Sequence, residues 1–170
     1  LIQRTPVISR TSEGIHNLLL NLLGLLLGLG DDQGDVVTDP THPNHLAPHK
    51  RPLHTLAPAM AFRGGRPWLA YGVMGADMQP QGHLQVLLNL TCFGMNIQEA
   101  GEAPRARYDT SGICLEQGIP ETTATNLRHR GHTLIDGLGF GGFQGVLIDF
   151  ETGTLMGGSD PRKDGLALGW

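Results

Sequence analysis

Pro67-Trp68-Leu69-Ala70-Tyr71-Gly72-Val73 leads straight into Met74-Gly75-Ala76-Asp77-Met78-Gln79-Pro80-Gln81-Gly82-His83. The first segment is an apolar run with aromatic and β-branched members, which predicts a strand. Gly75 and Asp77 then open a helical pattern. Leu84, Leu87, Leu88 and Leu90 recur at helical spacing and predict an apolar stripe on one face. Pro80 is tolerated in the first turn of that helix. The predicted order is strand, glycine turn, helix. On the N-terminal side, the apolar run from Leu56 to Phe62 meets the strand through Arg63-Gly64-Gly65-Arg66, a hairpin signal. On the C-terminal side, Asn96-Ile97-Gln98-Glu99 is a cap followed three residues on by Glu, which predicts a short helix ending near Pro104. A second helix is predicted from Pro120 to Arg130, with Gly131 as its stop. Strands are predicted at Gly142 to Phe150 and Gly153 to Gly157, around a turn at Asp149–Gly153. The fold class expected is α+β.

A chain of 170 residues suits one domain with its own core. Its 25 glycines and 11 prolines exceed average usage without reaching the level of a disordered or collagen-like chain, so many turns and short strands follow. A net charge of −4 lacks the basic footprint of a nucleic-acid binder, and no nucleic-acid partner is expected. Cys92 and Cys114 make neither a disulfide framework nor a Cys-x-x-Cys metal site, and two buried thiols are expected. The composition changes near residue 39. Residues 1–38 form an atypical leucine-rich segment, and residues 39–170 form the domain proper. The Leu18–Leu29 run has 12 residues, too few for a bilayer span of about 20, and no membrane role is expected. A core helix, a disordered tail and a stretch outside the natural reading frame are the readings open for this segment. Because the chain opens on Leu1, a fragment or processed product is expected, and the compartment stays open between cytoplasm and periplasm.

Gly137-Leu138-Gly139-Phe140-Gly141-Gly142 spells a dinucleotide-binding fingerprint, but Phe143–Ile148 reads as a strand where that motif needs a helix, so no cofactor is expected. His42, His45 and His49 would share a helix face and could hold zinc, yet Pro43 and Pro48 argue for a loop, and no metal is expected. His129 and His132 flank Gly131, where a cation favours a helix end. Before the helix predicted after Gly75, the turn N–H groups of Gly75 and Ala76 could stabilise an oxyanion, whereas the plain alternative is a tight turn for strand-helix packing. Asp77 could cap that helix.

Arg51-Pro52-Leu53-His54-Thr55, the stretch Gly72–His83, and Ser159-Asp160-Pro161-Arg162-Lys163-Asp164-Gly165 together resemble the C-terminal part of the small subunit of the γ-glutamyltranspeptidase family. These are N-terminal-nucleophile hydrolases related to cephalosporin acylases and oxamate amidohydrolases. The resemblance covers roughly residues 39 to 170. It implies part of a four-layer αββα sandwich, completed as a heterodimer with a large subunit of the same precursor. It also implies a γ-glutamyl or other small amide substrate. Gly75 and Ala76 fall where the family places a Gly-Gly pair with its oxyanion-hole amides. His54 and Thr55 fall where transpeptidases show a pair of serines that bind the γ-glutamyl carboxylate, so His54, Thr55 and Asp77 are the substrate-binding candidates. Met74, Gln79-Pro80-Gln81 and the altered pair at 54 and 55 point to the acylase-like and amidohydrolase-like branch. Asp160 and Arg162 are expected to pair structurally. In relatives the region before residue 39 carries a strand and a Phe-Gly-Ser-Gly loop. Here only Leu1-Ile2-Gln3 resembles that strand, so a shifted reading frame over roughly residues 4 to 37 is the favoured reading. Thr5, Thr11 and Thr38 lack the surroundings of the family's nucleophilic threonine, and Asp31-Asp32 read as solvated turn residues. The expectation is therefore a fragment of an amide hydrolase or acyltransferase without its nucleophile, inactive alone. The alternatives are a non-catalytic subunit or pseudoenzyme that binds a large-subunit partner, and an orphan fragment of a damaged gene with no function.

Overall fold

The computed structural model describes residues 38–51, 55–76, 78–137 and 139–169. The leucine-rich segment, Asp31-Asp32, His54 and Asp77 lie outside the described residues. The chain forms one unit over Leu1–Leu56 and another over Ala57–Trp170. In the first, Asp39 accepts hydrogen bonds from the Thr41 N–H at 2.9 Å and the Thr41 hydroxyl at 2.7 Å. The loop continues through turns in which His45 N–H donates to His42 O and His42 Nδ1 accepts from Asn44 N–H.

The second unit is built on two sheets. The larger has the order β1 (Ala59–Arg63), β2 (Arg66–Val73), β6 (Phe143–Ile148), β7 (Leu155–Ser159), with every neighbouring pair antiparallel. Between β1 and β2 the turn glycines Gly64 and Gly65 sit at φ 60° and 77°, the left-handed pair that a two-residue hairpin demands. Helices α1 (Met78–Thr91) and α2 (Ile97–Glu102) cover one face, α1 against β2 and α2 against β6 and β7. The smaller sheet joins the hairpin β3 (Ala106–Asp109) and β4 (Gly112–Leu115) to β5 (Leu134–Asp136). β5 runs parallel to β4, which rules out a tight turn, and the crossover carries α3 (Glu121–His129). The result is a mixed α/β architecture.

The core lies between the larger sheet and its helices, from Leu69, Tyr71 and Val73 to Val86, Leu87, Ile97 and Phe143. Phe143 is fully buried because glycines make room for it: a Cβ at Gly101 or Gly145 would overlap the ring, and one at Gly158 would lie 3.1 Å from it. On the opposite face, Met60, Ala70, Val146 and Gly157 are register neighbours in one row, all exposed, with Leu155 beside Ile148 in an adjoining row. Along Met60, Ala70 and Val146 this face is exposed, while at Gly157 the chain returns over it: a Cβ there would lie 3.0 Å from Ala167 Cβ.

Two local readings need correction. The buried face of α1 is Met78, Gln79, Pro80, Gly82, His83, Val86 and Leu87, while Leu84, Leu88 and Leu90 are only half-buried. Close approach decides this. A Cβ on Gly82 would sit 2.6 Å from Val73 Cγ1, so the helix presses its glycine side, not its leucine side, onto β2. Cys114 is buried as expected, but Cys92 is exposed just beyond α1. The capping box is present: Asn96 Oδ1 accepts the Glu99 N–H and Glu99 Oε2 accepts the Asn96 N–H, both at 2.9 Å.

Candidate functional site

The turn between β2 and α1 is held from three directions. Met74 N–H donates to Gly142 O at 3.1 Å, and the carbonyls of Gly75 and Ala76 accept from Met78 and Gln79 N–H at 2.8 and 2.9 Å. Gly75 sits at φ 121° and Ala76 at φ 47°. The Ala76 value is unusual for a residue with a Cβ and places it in the left-handed region. With both carbonyls engaged in the first turn of the helix, the N–H groups of Gly75 and Ala76 make no hydrogen bond among the described residues. Gly75 is exposed and Ala76 half-buried, so an approaching oxygen anion would meet two free donors at the positive end of α1. Met74, 48% exposed, stands next to them.

The glycine-rich loop before β6 lies against this turn. A Cβ at Gly141 would lie 2.6 Å from Met74 O, and one at Gly75 would lie 3.4 Å from Gly141 Cα. β6, not a helix, follows the loop, and its glycines serve this close approach.

Behind the turn, α1 is fastened at several points. His83 Nε2 accepts the Val73 N–H at 3.0 Å, and Tyr71 Oη donates to His83 O at 3.2 Å. Burial lowers the His83 pKa to about 4. Gln81 and Gln85 use their amides as strand-like partners for β3. Gln81 bonds both the N–H and C=O of Tyr108 at 2.8 and 3.0 Å, and Gln85 bonds both groups of Ala106 at 2.8 Å. The spacing explains the fit, since four helical residues rise about 6 Å and two strand residues advance about 6.6 Å.

The Asp160–Arg162 pair exists and belongs to a larger cluster. Arg162 Nη1 meets Asp160 Oδ1 at 3.0 Å, Arg162 Nη2 meets Glu116 Oε2 at 2.6 Å, and Arg105 Nη2 meets Asp160 Oδ2 at 2.8 Å. Asp160 also accepts from the N–H of Phe143 and of Arg162. Arg105 reaches Gly101 O and Phe140 O, and Arg162 reaches Ala103 O, so the cluster ties the end of α2 to the glycine-rich loop and the chain beyond β7. Burial works to raise the Asp160 carboxyl, but those N–H donors and guanidinium groups outweigh it and hold the pKa below its ordinary value. Burial opposes the Arg162 charge too, yet Glu116 and Asp160 leave its pKa raised. Arg105 and Glu116 went unread in the sequence because no local spacing links them to Asp160 and Arg162.

Of the candidates, Gly75 and Ala76 share the turn. Thr55 is half-buried in the first unit and is described only within it. His54 and Asp77 lie outside the described residues. Among the described residues no group of three or more His, Cys, Asp and Glu side chains could hold a metal ion, and no helix is long and apolar enough to cross a membrane.

The sequence profile described as Gamma-glutamyltranspeptidase matches residues 28–170. The chain belongs to the γ-glutamyltranspeptidase family. Within the family it is 35% identical over 142 residues to the Glutathione hydrolase-like YwrD proenzyme of Bacillus subtilis (strain 168), covering 77% of this chain and 27% of that proenzyme. It is 37% identical over 120 residues to the Acylase ACY 1 proenzyme of Pseudomonas sp. (strain SE83), covering 71% of this chain and 22% of the acylase. The crystal structure of cephalosporin acylase from Bacillus halodurans superposes with a TM-score of 0.67 at 40% identity, over 79% of this chain and 26% of that one. The chain thus spans about a quarter of the length of these curated γ-glutamyltranspeptidase relatives. Relatives of this kind are amide hydrolases and acyltransferases made as proenzymes, and they include the acylase branch to which Met74 and Gln79-Pro80-Gln81 pointed.

Proposed function

We propose that this chain is the C-terminal part of the small subunit of an amide hydrolase or acyltransferase, and that Gly75 and Ala76 form its oxyanion hole. The observation that carries this reading is the pair of free amide donors at the head of the 14-residue helix α1. In the reaction an N-terminal threonine attacks the amide carbonyl while its own amine takes the proton. The tetrahedral oxyanion accepts from the Gly75 and Ala76 N–H groups and collapses with cleavage of the C–N bond, the leaving amine taking the proton from the threonine's ammonium; the acyl-enzyme then passes its acyl group to water or an acceptor amine and frees the threonine. Thr55 and His54 supply polar contacts to a small amide substrate of the γ-glutamyl kind, and Asp77 caps α1 or meets the substrate. None of Thr5, Thr11 and Thr38 is the nucleophile, so the chain is inactive alone and residues 39–170 act with a large subunit. The exposed row of Met60, Ala70 and Val146 supports docking there, with a second sheet stacking on it to complete an αββα sandwich.

A non-catalytic subunit that binds the same large partner is the second reading, favoured by the strained Ala76 at the second donor position. The test is hydrolysis of a chromogenic γ-glutamyl anilide by the chain alone and by the chain co-expressed with the preceding portion of the Bacillus subtilis proenzyme. Activity only in the complex, lowered about a hundredfold by Gly75→Ala, is expected. Hydrolysis by the chain alone would overturn the missing-nucleophile reading. A complex without hydrolysis would favour the non-catalytic subunit, and failure to form a complex would refute docking.

A further inference from the structure

His83 and Val73 lie 10 positions apart, with the Gly75–Ala76 turn between them, and one hydrogen bond closes that loop. Strand pairing explains why it is needed. Met74 N–H faces β6, donating to Gly142 O, so Val73 N–H faces β1. β1 pairs with β2 no further than Ala59 opposite Tyr71, which leaves Val73 N–H beyond the end of the ladder. His83 Nε2 fills the acceptor position that a longer β1 would occupy. The residue is 4% exposed, and its ring stands edge-on to Tyr71, with centroids 5.1 Å apart at 89°. To accept at Nε2 the imidazole must be neutral with its hydrogen on Nδ1, because an imidazolium would set N–H against N–H.

We propose that His83 is a positioning residue whose neutral imidazole latches the Gly75–Ala76 turn to the end of β2 and releases it on protonation. The proposal rests on the reading of the Gly75 and Ala76 amides as oxyanion donors. Burial, the cause of the low His83 pKa, keeps the latch closed near neutral pH. Among the described residues the titratable group against the ring is Tyr71 of β2, whose phenol burial raises, and the α1 sequence, Met78–Thr91, contains no Asp, Glu, Lys or Arg. A proton arriving at Nε2 breaks the bond to Val73 N–H, and the strand end that sets the direction of the Gly75 and Ala76 N–H groups is left held on its β6 side alone, through Met74 N–H and Gly142 O.

The test is a pH titration of the ¹⁵N-labelled chain by NMR, following the His83 ring nitrogens and the amides of Val73, Gly75 and Ala76. The three amides should move together with the His83 ring, at a midpoint near 4. His83→Gln keeps an acceptor close to the Nε2 position but cannot titrate, so it should preserve the neutral-pH turn and abolish the transition. His83→Phe should shift the turn resonances already at neutral pH, and if that variant does not fold, His83→Gln decides the matter. Turn resonances unchanged in folded His83→Phe, or a wild-type transition persisting in His83→Gln, would overturn the latch. In the two-subunit complex, His83→Phe should lower kcat about tenfold with little change in KM, and His83→Gln should restore it. Amides that track His83 in a complex with no hydrolysis would refute the oxyanion reading alone. Hydrolysis that needs Gly75 but ignores both His83 variants would refute the latch alone.

Discussion

Replacing Ala76 by glycine relieves a conformation that the rest of the turn imposes. At φ 47° an L-residue brings its Cβ against the following carbonyl, at roughly 1–2 kcal/mol. Glycine meets no such clash but surrenders more freedom on folding, roughly 0.4–1 kcal/mol. The difference leaves Ala76→Gly more stable by about 0.5–1 kcal/mol. Urea unfolding followed through Trp68, buried at 6% exposure in β2, provides the assay. At a slope of about 1.5 kcal/mol per molar, the midpoint should rise by roughly 0.3–0.7 M with the slope unchanged. The companion variant Gly75→Ala should move the other way by about 2 kcal/mol, because φ 121° is closed to side chains and its Cβ would lie 3.2 Å from Met78 Cβ. A midpoint for Ala76→Gly equal to or below that of the parent would refute the claim that the turn stores strain at this residue.

Acid should weaken the fold through His83. Its folded pKa, about 4, lies below the unfolded 6.5, so the unfolded chain binds the extra proton between those values. Stability is full above about pH 6.5, falls by about 3 kcal/mol as the pH drops to about 4, and is level below that, a slope that unfolding midpoints across the range would measure and that His83→Gln should remove. Asp160 contributes in the same direction at lower pH, where protonation cancels its pairing with Arg105 and Arg162. Asp160→Asn leaves the Arg105 guanidinium, 1% exposed, without its carboxylate and should cost about 3–5 kcal/mol by urea unfolding. Gly101→Ala forces a methyl group into the Phe143 ring and should cost about 1–3 kcal/mol, with loss of the sharp thermal transition as its sign.

Features fixed by a few neighbouring residues are legible in the sequence. The Gly64-Gly65 hairpin, the Asn96–Glu99 capping box and the Gly131 helix stop each depend on backbone requirements that one or two residue types meet. The three motifs that carry the family likeness were equally legible, as was the glycine turn between β2 and α1. The short strands β3, β4 and β5 were not, because runs of three or four residues are too short for alternation to show. Nor was the buried side of α1: leucine spacing describes which residues could be inside, and only the approach of Gly82 to Val73 selects those that are.

The sequence by itself determined the order of elements and where the chain must turn, since helix caps, hairpin glycines and apolar runs act over a few residues. Only the tertiary structure decided what holds the candidate site. Arg105 and Glu116 reach Asp160 and Arg162 across separations of 55 and 46 residues, and His83 finds Val73 only because β1 stops short. Such partners are chosen by which buried donors and acceptors remain unmet after the sheets and helices pack, a condition that no local pattern records.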